Sequence, residues 1–115
     1  MKRLLVIEWD EGIRELFVLA LSRLGYEICT ASDGAEGLRT LETTTVDAVL
    51  VNFVMPKMNG AEFIEAAKER GYSVPMIAVS GHHSSEFCLA HGAVAVLRLP
   101  FQWGELESLL ESVLG

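Results

Sequence analysis

The 115-residue chain is poor in basic side chains, with nine Lys and Arg against sixteen Asp and Glu and a formal net charge of −7 at pH 7. No Lys/Arg cluster is present that would neutralise a phosphate backbone, so direct nucleic-acid binding is not expected. Long apolar runs are also missing. None approaches the roughly 20 residues needed to span a bilayer, so no membrane contact is expected. The basic-then-apolar start, Met1-Lys2-Arg3-Leu4-Leu5-Val6-Ile7, is too short for a signal peptide and acidic residues follow at once, which favours a first strand and a cytoplasmic location. There are two cysteines, Cys29 and Cys88, isolated and without metal-ligand spacing. One lies in an alternating apolar stretch and the other in a helical one, so both read as buried free thiols. Neither G-x-x-x-x-G-K-[ST] nor G-x-G-x-x-G occurs, which leaves nucleotide binding without a motif. Ser80-Gly81-His82 lacks the G-x-S-x-G frame of a nucleophile elbow. No enzymatic activity is expected.

Half of the residues are hydrophobic, enough to bury a core in one domain of this length. Their pattern alternates strand and helix five times. Leu4–Ile7 is continuously apolar, as in a central parallel strand covered on both faces. Asp10 is placed to cap a helix whose Ile13, Leu16, Phe17, Ala20 and Leu24 form one apolar stripe, with Gly25 as the stop. Tyr26–Ala31 reads as the second strand. Asp33 and Glu36 open a helix to about Thr43. Asp47–Val51 is the third strand, and Asn59 with Glu62 opens a helix through Arg70. Pro75–Val79 is the fourth strand. A short helix follows from Ser84 to Gly92, then a fifth strand, Val94–Arg98. Leu106, Leu109, Leu110 and Val113 mark the last helix. Strands alternating with helices imply right-handed crossovers and a parallel sheet with helices on both faces. In such sheets function gathers at the carboxyl ends of the strands. Here those ends are Glu8-Trp9-Asp10, Asn52-Phe53-Val54, Ser80-Gly81-His82 and Leu99-Pro100.

Several segments carry a resemblance: Leu5-Val6-Ile7-Glu8 through Arg14-Glu15-Leu16, Ala31-Ser32-Asp33-Gly34, the strand and loop from Asp47 to Gly60 with Met55-Pro56, Gly92-Ala93 and Pro100-Phe101. Together they resemble the receiver domain of bacterial response regulators, over essentially the whole chain. The resemblance implies a flavodoxin-like (βα)5 sandwich with sheet order 2-1-3-4-5, formed by residues 1–115 as one receiver-like domain. It also implies a site of five polar parts. An aspartate accepts the phosphoryl group, two acidic residues after the first strand hold Mg²⁺, a Ser or Thr follows the fourth strand, and a lysine follows the fifth. Phosphoryl transfer rests on positioning with this electrostatic support.

The chain departs from that pattern at most of these positions. Asn52 stands where the acceptor aspartate would be, and an amide is not an anionic nucleophile. The acidic pair aligns with Glu8 and Trp9, so an indole replaces one carboxylate. Ser80 matches the hydroxyl. Leu99 takes the lysine position, and Val96 the position of the switch aromatic. Losing Asp and Lys together leaves a neutral pair, whereas a buried lysine without its partner would be an uncompensated charge. The set reads as a degenerate site. Mg²⁺ wants hard oxygen ligands in near-octahedral geometry. The remaining candidates are Glu8 and Asp10, with Asp10 favoured as a helix cap and Trp9 crowding the site, so no cofactor is expected. Trp9 is read as a plug for the pocket.

His82-His83 reads as a mobile polar loop. The resemblance places partner contacts on the face of the fourth helix, fifth strand and fifth helix, where Phe87, Arg98, Phe101, Gln102 and Trp103 fall. Trp103 serves equally as core cover or as a partner anchor. The reading favoured by these residues is a phosphorylation-independent signalling module of two-component type. Its expected partners are a histidine kinase or a downstream effector, and a homodimer through the same face is a further expectation. The alternatives are a small-molecule-binding module with its pocket around Trp9, Asn52 and Leu99, or a receiver phosphorylated on a non-standard carboxylate. The sequence reads as a stand-alone protein or as the N-terminal domain of a longer one.

Overall fold

The computed structural model describes residues 1–115. Five strands alternate with five helices: β1 (Arg3–Ile7), α1 (Glu11–Arg23), β2 (Glu27–Ala31), α2 (Gly34–Thr43), β3 (Ala48–Asn52), α3 (Gly60–Glu69), β4 (Met76–Ser80), α4 (Ser85–Ala90), β5 (Ala95–Arg98) and α5 (Trp103–Leu114). The strands form one parallel sheet in the order β2-β1-β3-β4-β5. This is the expected flavodoxin-like arrangement, and the element boundaries agree to within a residue or two of the sequence reading.

The pleat sorts the apolar strand residues onto two faces. Leu5, Ile7, Val49 and Val51 face α2, α3 and α4, where Leu38, Phe63, Ile64 and Cys88 complete one core. Leu4, Val6, Leu50, Ile77 and Val79 face α1 and α5, where Phe17, Leu21, Leu106 and Leu110 complete the other. Because β1, β3 and β4 are covered on both sides, their apolar runs are continuous. Each fully buried Leu or Phe contributes about 1.5–3 kcal/mol relative to exposure, so these two layers dominate the stability.

Capping follows the sequence. Asp10 Oδ1 accepts from the Ile13 N–H at 2.9 Å, Asp33 Oδ1 from Glu36 at 2.8 Å, and Asn59 Oδ1 from Glu62 at 2.9 Å. No helix is long and apolar enough to cross a membrane.

Two expectations need correction. The buried line of α1 runs through Phe17 and Leu21, one helical turn apart, while Ile13, Leu16 and Leu24 are exposed. The helix lies on the sheet along a narrower line than its apolar stripe, and Leu24 falls at its C-cap. Cys88 is buried as expected, but Cys29 is only half-buried, because β2 is an edge strand. Burial pushes both thiols above their usual range.

At the carboxyl end of the sheet, Phe53 follows Asn52 directly and is wholly buried. Its backbone N–H donates to Val79 O at 3.0 Å, and its ring and backbone lie on Gly60. A Cβ at Gly60 would come 2.7 Å from Phe53 Cα and 2.4 Å from the ring. Backbone cannot yield there as a side-chain tip can. Gly60→Ala is therefore expected to destabilise the fold by about 1–3 kcal/mol, the range of core overpacking, as read from the urea midpoint. An unchanged midpoint would mean that the β3–α3 loop gives way freely.

Candidate functional site

Four loops meet at the carboxyl edge of the sheet. β1 ends its alternation at Ile7, so the next residue, Glu8, turns inward and Trp9 turns out. Glu8 is 3% exposed, a buried carboxylate, and Trp9 is 52% exposed. The expected Trp9 plug is thus absent from the interior. The indole instead borders a shallow cleft with Asn52, Val54, His82 and Leu99.

Asn52 is the last residue of β3 and bridges two loops. Its Nδ2 donates to Glu8 Oε1 at 2.9 Å, and its Oδ1 accepts from the Val54 N–H at 2.9 Å. The amide orientation follows from its neighbours. An ionised carboxylate only accepts and a backbone N–H only donates, so one partner demands the NH₂ and the other the oxygen. Glu8 Oε2 accepts from the Asp10 N–H at 3.0 Å, and Arg14 Nη1 donates to the Glu8 backbone carbonyl at 2.8 Å. Asp10 itself is committed to capping α1.

Ser80, at the end of β4, is wholly buried. Its Oγ accepts from the His83 N–H at 3.0 Å and lies 3.5 Å from His83 O, so the hydroxyl is bound to the loop that leads into α4. Ser80 also lies close enough to Cys88 to oppose the upward push of burial on that thiol, as does the charge of Arg98; burial prevails. The β4–α4 loop is not the free polar segment that its two histidines suggest. His83 stacks on Phe87 with ring centres 4.6 Å apart, and Phe87 lies 4.1 Å from His91. Arg98 Nη1 donates to His83 O.

Leu99 is half-exposed, and its Cβ lies 3.3 Å from where a Cβ on Gly81 would be. The Leu99–Pro100 peptide is cis. Val96 lies in the middle of β5, paired with Ala78 and packed at the margin of the core.

Four of the five residues assigned to a partner face divide between two clusters. Phe87 and Arg98 join His83. Phe101 packs on Phe17 at 5.7 Å, and Trp103 meets Phe17 and Phe101 edge-on at 5.9 and 4.9 Å. Gln102 is exposed between them. Trp103 both covers Phe17 and keeps 44% of its surface open. Sequence reasoning missed the Glu8–Asn52 bond and the cavity beside α1. The signal for the cavity was present in Ile13 and Leu16, which extend the apolar stripe of α1 beyond the line that the sheet covers.

Comparison with known proteins agrees with this fold. Residues 4–111 match the family described as response regulator receiver domain. The chain belongs to that family. Among curated relatives, the alkaline phosphatase synthesis transcriptional regulatory protein PhoP of Bacillus subtilis is 29% identical over 117 residues, covering 98% of this chain and 48% of that protein. The chain thus spans about half the length of the curated relatives it matches first, 48% and 50% of them. Among solved structures, the Vibrio cholerae chemotaxis protein CheY4 superposes with a TM-score of 0.91 at 30% identity, covering 99% of both chains. The Thermotoga maritima response regulator TrrA, solved with Mg²⁺ and BeF, has a TM-score of 0.89 at 28% identity, covering 99% of this chain and 100% of that one.

The amide at position 52 has a direct energetic test. Asn52→Asp would set two carboxylates about 3 Å apart, where like charges cannot both ionise, so one is held protonated above its ordinary pKa. A raised carboxyl pKa favours the folded state at low pH and forfeits that advantage as pH rises. The variant is expected to lose about 1–3 kcal/mol at pH 7, the cost of a buried polar group left unsatisfied, and to recover much of it near pH 5. Urea denaturation at the two pH values reads this. Equal stability of variant and parent at pH 7 would show that the amide is not needed there.

Proposed function

We propose that this chain is a receiver-type signalling module that does not take a phosphoryl group at Asn52 and that works through protein–protein contacts. The observation that carries the reading is the Asn52–Glu8 hydrogen bond, in which the acceptor position is a neutral donor to the buried acid. An amide in that role can neither attack phosphorus nor carry the charge that draws in a metal.

The rest of the site supports the same reading. Leu99 provides no cation against transferred charge. The Ser80 hydroxyl is occupied by the His83 backbone. The residues present do not fit Mg²⁺. Glu8 is the one inward carboxylate, Asp10 caps α1, and the Asn52 oxygen is bound to the Val54 N–H, so the set of hard oxygen ligands that Mg²⁺ needs is not assembled. No three His, Cys, Asp or Glu side chains come together as a metal site. On this reading the chain works without a cofactor and as a binding module.

A receiver of this kind remains a two-state element. Any contact that binds one conformation more tightly shifts the balance, with or without phosphate. A histidine kinase or a downstream effector of a two-component system in the cytoplasm is the class of partner that the family brings. The surface around Phe87, Arg98 and Trp103, or a second copy of the chain seated on it, is where we place the contact. Val96 provides no ring to report a phosphorylated state through β5, which fits control by partner binding.

Intact mass after incubation with Mg²⁺ and acetyl phosphate tests the proposal. An unchanged mass is expected, under conditions in which a receiver with an aspartate at this position gains one phosphoryl group. A gain of one phosphoryl group would sink the reading, and peptide mapping would then show whether Glu8 or Asp10 had taken over.

A further inference from the structure

A cavity of about 300 Å³ opens between α1 and the segment that joins β5 to α5. Ile13, Leu16 and Phe17 form one wall, and Leu99, Phe101 and Trp103 form the other. It shares Asn52, Leu99 and Pro100 with the shallow cleft bordered by Trp9, but Trp9 itself does not line it. At its polar end are Glu8 and Asn52.

The charge there is unbalanced. Glu8 is buried, yet the ion pairs of the molecule, Arg3–Glu27 and Arg70–Glu42, both lie elsewhere on the surface. Arg14 reaches Glu8 only at its backbone carbonyl. The carboxylate accepts two hydrogen bonds, from Asn52 and from the Asp10 N–H, whereas an ionised carboxylate has about four acceptor sites. A buried anion without a cationic partner is costly, and a cation delivered beside it would relieve that cost. The walls add a second preference. Trp103 packs edge to face with Phe17 and Phe101, which are tilted against each other, and aromatic faces attract cations. Ile13, Leu16 and Trp103 keep open apolar surface that a ligand body would cover.

We propose that this cavity binds a small organic cation, a primary or secondary amine on a one-ring or branched aliphatic body. The ammonium sits against Glu8 and the body lies between Leu16, Phe101 and Trp103. The volume matches the small end of ligand cavities, about 300–1,000 Å³, which suits a single ring. Carboxylate ligands are disfavoured, since they would set a second anion beside Glu8. The amine titration uses the unmodified protein with no phosphodonor present, so its failure and the failure of the phosphorylation reading are separate results.

The test is a titration of the isotope-labelled protein followed by amide and indole NMR shifts. Three probes share a phenylethyl body: 2-phenylethylamine, 2-phenylethanol and phenylacetate. The amine is expected to move the Ile13, Leu16 and Trp103 signals saturably, with a dissociation constant at least about tenfold below that of the alcohol, and phenylacetate is expected to leave them in place. Glu8→Gln is expected to bring the amine to the level of the alcohol. Ile13→Phe, at an exposed helix position, fills the cavity and should abolish both responses while the fold persists. The proposal is overturned if the amine gives no saturable shift, if it binds no better than the alcohol, or if its shifts fall outside the cavity and survive Ile13→Phe.

Discussion

The hydrogen bond from Asn52 to Glu8 holds the carboxyl edge of this sheet together. It joins the ends of β1 and β3, which are neighbours in the sheet, and it does so with a neutral group against a buried acid. The remaining contacts of both residues extend the network. Glu8 fixes the turn into α1 through the Asp10 N–H, and Asn52 fixes the β3–α3 loop through the Val54 N–H. Phe53, wedged over Gly60 directly after Asn52, keeps that loop from sliding along the sheet. The amide thus occupies a structural role at a position where the fold ordinarily hosts chemistry.

The neighbouring substitutions become intelligible from that bond. A lysine in place of Leu99 would have no acidic residue at position 52 to meet. An apolar residue can turn instead toward Gly81 and the wall of the cavity. The Ser80 hydroxyl accepts from the backbone N–H of His83. The loop between β4 and α4 gains further support from the His83–Phe87–His91 stack. The polar groups at this edge are engaged in internal bonding, above the two hydrophobic layers of the receiver fold.

Much of this was legible in the sequence, for reasons that differ by element. The strands were readable because burial on both faces forces continuous apolar runs, as in Leu4–Ile7. The helix starts were readable because Asp10, Asp33 and Asn59 are side-chain caps whose spacing to the accepted N–H is fixed by local geometry. The placement of Asn52 at the carboxyl end of the sheet was readable because it directly follows the apolar run of β3. What escaped were properties set by tertiary placement. The stripe of α1 does not say which of its residues meets the sheet, so Ile13 and Leu16 were assigned to a core that they do not enter. The direction of Trp9 depends on the pleat carrying one residue past the strand, which hydropathy alone does not reveal. The two histidines of the β4–α4 loop gave no sign that Phe87, four residues beyond His83, would bring its ring against them.

The Asn52–Glu8 bond also sets the order in which charge could enter this edge of the sheet. An aspartate at position 52 would place a second anion beside buried Glu8 with no cation to balance it. A lysine at position 99 would instead bring a cation toward Glu8, since Leu99 lines the same cavity. The two positions are therefore unequal. An engineer who wished to charge this edge would introduce the base first and the acid second.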